Sequence, residues 1–387
     1  MISQSVKRIT STIQSADSQQ VDTLIDQLMA LASQSDSEGA FPEEAFGQMA
    51  EAGMLGITLP GQPLDFDLPE TKSLLQLLKR IGTGNLAVGR VYEGHINALY
   101  LIHLFGNQEQ KKRYGADVRQ HQRLFSVWNT QADDGIRIHA LGEGRYVLEG
   151  SKTFCSGAGW IQRPLVTGEL IGQDRSGWQM CIIPTERVKP IPSDEQFWQP
   201  LGMRASASFK LDFTGVELEE QDLLGQPGDY FKQPYFSGGA IRFAAVQLGA
   251  AEALLSETRT YLNDLNRVDD PFQKARIGEM TYLIESGNQW LNAAGEKTDS
   301  WLAQGDSADK IVAYANMTRT AIEQICLRTM ELAERSVGAR GLLRPLPFER
   351  IHRDLSMYLR QPAPDAALTG IGHYVFHTSS PTHDLWR

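Results

Sequence analysis

Cysteine is scarce in this chain. Cys155, Cys181 and Cys326 are scattered over 387 residues. An odd, dispersed set builds no disulfide framework, and without a C-x-x-C pair there is no zinc ribbon. A reducing compartment, the cytoplasm, is the expected location. Positive charge is also in deficit: 37 Lys and Arg stand against 47 Asp and Glu, a net charge of -10. Nucleic acid as a partner needs a basic face, so it is excluded. The one short basic run, Lys111–Arg113, reads as a solvated helix face. Long apolar runs are missing too. None reaches the roughly 18 residues of a membrane span, and the first twenty residues hold no apolar leader core. No G-x-S-x-G nucleophile elbow occurs. Cys155, beside Ser156 and Gly157, reads as a small buried thiol.

What is present is ordinary globular composition, 41% hydrophobic and 22% charged, in a distinct order. Residues 1–120 read as an N-terminal α-helical domain. Val21–Leu31 has helical spacing, Phe41–Glu44 (FPEE) opens a second helix, and Pro69–Ile81 is a third. Val88–Phe105 is long and apolar without a clean polar face, which predicts burial on most sides. Residues 121–235 read as a middle β-domain. Its centre is Leu124–Trp160, where apolar β-branched and aromatic runs end in small polar groups at Trp128–Thr130 and Ser156–Gly157. Leu165–Ile171, Trp178–Ile183 and Phe209–Phe213 are further strands, with prolines in the loops between. Residues 236–387 return to helix. Three long helices come first, Ala240–Leu265, Phe272–Gln304 and Ser307–Val337, the third broken by Gly338–Gly341, and two shorter ones follow. Helices, strands, helices in that order define an α+β architecture with segregated layers. Polar groups at strand ends make Leu124–Trp160 a place for a planar cofactor.

Three patterns are weaker. Gly82–Ala87 imitates a dinucleotide fingerprint, but a helical run precedes it where a strand is required, so it reads as a helix-breaking turn. His373 and His377 share a helix face, and zinc would need further ligands, so a surface or interface pair is expected and metal is not. Arg204, flanked by Gly202 and small residues, fits an anion site or a turn entering a strand equally well.

At Leu201–Gly225 (LGMRASASFKLDFTGVELEEQDLLG) the chain resembles the acyl-CoA dehydrogenase superfamily. The likeness continues in Ala52–Pro60 (AGMLGITLP), Gly106–Tyr114 (GNQEQKKRY), Gly150–Ser156 (GSKTFCS), Arg335–Gly341 (RSVGARG) and Phe348–Asp354 (FERIHRD). Six modest motifs in one order cover nearly the whole chain. The resemblance implies an acyl-CoA dehydrogenase-like fold: an N-terminal helical domain, a middle antiparallel β-domain and a C-terminal four-helix bundle. It also implies FAD and a homotetramer, less often a dimer. By resemblance, Val127 and Trp128 give hydrogen bonds to the flavin ring, with Asn129 and Thr130 completing the turn. Phe154 flanks the ring, and Ser156 offers a hydroxyl to its reactive edge. Arg335, Gly338, Ala339 and Gly341 form the turn that meets the FAD tail of a neighbouring subunit.

The chain departs from the family in three places. Trp128-Asn129-Thr130 replaces the usual Thr-Glu-Pro, so a large indole is expected to reshape the pocket or stack on the ring. The Arg-x-x-Phe-Gly segment is replaced by the shorter, acidic Tyr261–Pro271, where Arg267 stands alone. The dehydrogenase base is missing: its usual position falls on Pro362, its alternative near Ala240. The first reading is therefore a dehydrogenase-like oxidation of an acyl-CoA or similar thioester, with Asp365 as the nearest acid and an electron-transfer flavoprotein as acceptor. The second is a flavin monooxygenase of the same fold fed by a partner flavin reductase, which needs no base. The third is a family member without catalysis.

Overall fold

The computed structural model describes residues 20–172, 175–194, 196–360 and 363–387. Gln361 and Pro362 lie outside the described residues, so the usual base position has no structural account here. The first layer is helical: α1 (20–31), α2 (Glu43–Glu51), α3 (Thr71–Gly84), α4 (Leu86–Phe105) and α5 (Gln108–His121). The strands follow: β1 (Phe125–Trp128), β2 (Arg137–Gly142), β3 (Arg145–Glu149), β4 (Ser151–Cys155), β5 (Arg163–Ile171), β6 (Gly177–Ile182), β7 (Ile191–Asp194), β8 (Phe209–Asp212), β9 (Glu217–Glu219) and β10 (Leu223–Leu224). The chain ends in α6 (Tyr235–Gly238), α7 (Ala240–Asp264), α8 (Pro271–Gln304), α9 (Ala308–Gly341), α10 (Phe348–Tyr358) and α11 (Pro364–His377).

The larger sheet runs β10-β6-β5-β2-β3-β9, with β1 also on β5; the smaller runs β4-β8-β7. Most pairs are antiparallel. The two exceptions are β1 and β2, both parallel to β5 and sharing one of its edges, β1 on Arg163–Val166 and β2 on Glu169–Ile171. β1 is thus hydrogen-bonded to a strand on one side only.

The helical layers meet where glycines let backbones touch. A Cβ on Gly82 would stand 2.2 Å from the Val246 carbonyl oxygen, and one on Gly249 2.0 Å from that of Lys79. α3 and α7 therefore cross at backbone distance. This accounts for the glycines of Gly82–Ala87: they belong to the last turn of α3, and Asn85 then caps α4 through the N–H groups of Ala87 and Val88. α9 carries a break at Gly338, whose φ of 62° and ψ of -171° are not helical. His373 and His377 stack ring on ring on α11, and His377 bonds the His373 carbonyl of its own helix.

Candidate flavin site and the polar wall beside it

β1 is placed by a histidine. His95, on α4 and fully buried, accepts the Phe125 N–H on Nδ1 at 3.1 Å. Nδ1 is therefore unprotonated, and Nε2–H donates to the Leu55 carbonyl at 2.8 Å. Burial holds the imidazole neutral, with its pKa pushed down to about 4. Because Phe125 turns its N–H away from β5, the two-residue strand period turns the Val127 N–H and C=O the same way, to the open edge.

Beyond Val127, Trp128 does not enter the pocket. Its indole is buried in the β-domain core, 6.3 Å from Phe213 between ring centres. Its Nε1–H donates to the Ser156 carbonyl at 3.0 Å, tying the ends of β1 and β4 together. The expectation that the indole narrows the pocket or stacks on a ligand is replaced by a structural role. The reason is local: Trp128 shares the inward face of the strand with the core, and its polar atom finds a carbonyl there.

Asn129 is held from beneath. The buried Lys152 ammonium donates to the Asn129 carbonyl at 2.9 Å, to the Gln131 side chain, and to the Thr167 hydroxyl at 3.2 Å. Thr167 in turn donates to Asn129 Oδ1 at 2.7 Å. No carboxylate pairs with Lys152 among the described residues. The Trp178 ring lies 4.9 Å from the nitrogen, and burial pulls the lysine pKa down to about 8. Thr130 is exposed, and its carbonyl accepts the Thr153 N–H at 3.0 Å. Phe154 has φ of 55° and is 47% exposed, with Phe197 and Trp198 packed edge-on against it. The Ser156 hydroxyl joins a buried chain, 2.9 Å to Ser208 and on to Ser206 at 2.8 Å. The thiol of Cys155 is buried and its pKa pushed far up, so it is no nucleophile.

The structure thus brings Val127, Trp128, Asn129, Thr130, Phe154 and Ser156 to one place. An open strand edge and an exposed aromatic ring fit a flat, hydrogen-bonding ring such as a flavin. Arg335, Gly338, Ala339 and Gly341 are elsewhere, at the end of α9. Arg335 is exposed and pairs with Glu331 on its own helix at 3.3 Å. Asp365 is exposed in the first turn of α11. None of the contacts found for Arg335 or Asp365 reaches the strand ends.

Sequence reasoning missed a second polar group. Besides Tyr92, His95 and His103, α4 carries Arg90, Glu93, Asn97 and Tyr100, whose spacing of three, four and three residues puts them on one face. Arg90 Nη1 bonds Glu93 at 3.0 Å, and Asn97 donates to the other Glu93 oxygen. From α7, Arg242 donates to Asn97 Oδ1 at 2.5 Å and lies 5.0 Å over the Tyr100 ring. Tyr100 and Arg242 border a cavity of about 90 Å³ that also meets Phe66, Tyr235, Ile241 and Asp299.

Known proteins carry the same plan. Residues 14–120 match the family model for the acyl-CoA dehydrogenase N-terminal domain, and residues 241–359 match that for the acyl-CoA dehydrogenase C-terminal domain. The chain belongs to the acyl-CoA dehydrogenase superfamily and has its fold, helical at both ends with a β-domain between. It is 24% identical over 343 residues to a dibenzothiophene monooxygenase of Rhodococcus erythropolis, covering 79% of this chain and 80% of that one. It is likewise 24% identical to a probable acyl-CoA dehydrogenase of Bacillus subtilis strain 168, covering 83% and 86%. Among solved structures, FMN-bound TdsC from Paenibacillus sp. A11-2 superposes with a TM-score of 0.84 at 17% identity, over 96% of this chain and all of that one.

Proposed function

We propose that this chain is a flavin-dependent monooxygenase that oxygenates a small molecule, using reduced flavin delivered by a partner reductase. One observation carries the proposal: neither position where the resemblance places a dehydrogenase base is acidic, one being Pro362 and the other the helix start near Ala240. An acyl-CoA dehydrogenase needs a base to take the α-proton while the flavin takes hydride. The buried acid of this region, Glu93, is committed to Arg90 and Asn97. The helix start after the β-domain offers Gly239, Ala240 and Ile241, and Asp365 is exposed on α11. A monooxygenase needs no such base, and the dibenzothiophene monooxygenase relative supports this choice over the dehydrogenase reading.

The proposed ring site is Val127 to Thr130 with Phe154 and Ser156. Val127 would bind the ring through its backbone, Phe154 would cover it, and Ser156 would steady its reactive edge. Bound reduced flavin would supply the electron pair that activates dioxygen, one oxygen atom going to the substrate and the other to water. The FMN in the TdsC structure supports flavin in general. FAD in place of FMN would call on Arg335, Gly338, Ala339 and Gly341 of a second subunit. Exposed apolar side chains on the C-terminal helices, Phe272 at 71% and Phe376 at 88%, support assembly as a homo-oligomer. No described helix is long and apolar enough to cross a membrane, and a cytoplasmic location is part of the proposal.

The test is spectroscopic. Purified protein is titrated with FMN and FAD, reduced without oxygen, then mixed with air; flavin uptake and oxygen-dependent reoxidation are expected. Short and medium acyl-CoAs added to the oxidised complex without oxygen should leave the yellow colour intact. Bleaching by any of them, or no uptake of either flavin, overturns the proposal.

A further inference from the structure

We infer that the cavity bordered by α4 and α7 receives a small organic oxyanion, a carboxylate, sulfinate or sulfonate on a compact skeleton, with Arg242 as its receptor. This rests on the reading above that the protein oxygenates a small molecule, and it names the class of that molecule.

The polar face of α4 leads from the flavin site to the cavity. Arg90 to Tyr100 spans about 15 Å at 1.5 Å per residue. At the strand end, a Cβ on Gly94 would meet the Ser126 hydroxyl of β1 at 3.2 Å and Arg90 Nη1 at 3.4 Å. At the cavity end stands Arg242. Along this face one carboxylate stands against two guanidiniums. Glu93 pairs with Arg90 and acts on Arg242 only from beyond ion-pair distance. The Arg242 Nε has Asn97 and its plane has Tyr100, but no carboxylate lies within ion-pair range among the described residues, and its terminal nitrogens make no hydrogen bond there. Arg242 is half-buried, and burial lowers its pKa against the opposing charge of Glu93. A half-buried guanidinium fork with both terminal nitrogens open matches the paired oxygens of an oxyanion. An alkyl chain in the same place would leave those donors unmet.

The acids on the cavity wall set the size limit. Asp65, Glu70 and Asp299 line the side formed by α3, α8 and the loop before α3. Asp65 accepts the Gly61 and Asp67 N–H groups, Glu70 the Ser73 hydroxyl, and Asp299 the Thr71 N–H and hydroxyl. They are occupied, but their charge confines an anionic group to the Arg242 side. A polyanionic carrier such as a coenzyme A thioester would have to lie against all three.

The test is calorimetric titration of the full chain, with and without flavin, using benzenesulfinate and benzoate as oxyanions, indole as a neutral probe and butyryl-CoA as the thioester. Wild type should bind both oxyanions at least about ten-fold more tightly than indole or butyryl-CoA, the scale of one well-made charged contact. Arg242→Gln should lose that ten-fold preference while indole affinity stays within about two-fold, and Arg242→Lys should keep part of it as a point charge without the fork. Thermal melts identify a variant that does not fold, and the other variant then decides. Oxyanion affinity unchanged in the folded variant, or tighter binding of indole or butyryl-CoA by wild type, overturns the inference. Flavin uptake is read in the same samples. Protein that takes up flavin but no oxyanion sinks this inference alone, whereas oxyanion binding without flavin uptake sinks the oxygenation reading and leaves Arg242 as an oxyanion receptor whose ligand is not an oxygenation substrate.

Discussion

Beneath the ends of β1 and β4, most buried polar groups have partners, the Ser126 hydroxyl and Trp178 Nε1 excepted. Lys152 has three acceptors, Trp128 a carbonyl, Thr167 an amide and Ser156 a second hydroxyl. Along α4, α7 and α10 the accounts stay open. Arg242 has unused donors, and the buried hydroxyl of Tyr358 has no partner among the described residues. A satisfied network holds a shape, because each loss strands a buried group. An unsatisfied one is stable only at a cost, and it is complementary to something that brings the missing atoms. On the functions proposed above, the first region would be a scaffold for a ring and the second a receptor.

Substitutions can break this contrast, and the largest effect should come from the clamp that joins the two regions. His95→Ala removes a fully buried ring and strands the Phe125 N–H and the Leu55 carbonyl. It should cost about 3 kcal/mol in urea unfolding at pH 8; a cost below about 1 kcal/mol would show that β1 is placed by other means. The pH dependence follows from the lowered pKa. The folded imidazole stays neutral to about 4 while the unfolded one protonates near 6.5. Stability owed to His95 is therefore intact above 6.5 and is lost as pH falls towards 4, about 3 kcal/mol at 1.36 kcal/mol per pH unit. Unfolding measured from pH 7 to 4 should show a shallower fall in the variant than in wild type; parallel curves would contradict the assignment.

Lys152→Met comes next. It leaves the Asn129 carbonyl and the Gln131 side chain without their donor, offset in part by removing a buried charge. The net loss should be about 2 kcal/mol, with flavin affinity falling alongside. A stable variant with wild-type flavin titration would remove Lys152 from the scaffold. Trp128→Phe keeps the ring in the core and deletes one donor, so about 1 kcal/mol is expected, checked by thermal melts. At the other end of the scale, Tyr358→Phe removes a hydroxyl that has no partner. Stability should change by less than about 0.5 kcal/mol or rise. A loss as large as that of Trp128→Phe would mean that the second region is a closed network after all.

The same contrast explains what could be read from the sequence. Helices and strands were legible where periodicity is strong: Pro364–Phe376 is α11 to within a residue, and Leu165–Ile171 lies inside β5. The family motifs located the strand ends, because close backbone approach and small polar residues leave a fixed pattern. β7 was not legible. Its prolines read as loop punctuation, yet a sheet-edge strand tolerates Pro192. The parallel pairing of β1 and β2 with β5 has no local signal, since it depends on which strands the chain returns to. The direction of the Trp128 indole was misjudged for a similar reason, because one residue of register decides between pocket and core. Nothing in the sequence marks Lys152 for burial, although it sits among inward-facing positions of β4. The receptor was the least legible part. Three polar side chains and a tyrosine dilute easily in a twenty-residue apolar helix, and Arg242 joins them only through the fold.

His95 and the polar face lie on nearly opposite sides of α4, since two residues along a helix turn the side chain by about 200°. One side of that helix fixes the strand of the proposed ring site; the other would choose what is brought to it. Descendants of this chain could therefore exchange Arg90, Glu93, Asn97 or Tyr100 and acquire new substrates without relearning how to hold a cofactor. On this view α4 is the evolutionary seam of the molecule, where inheritance and novelty share one backbone.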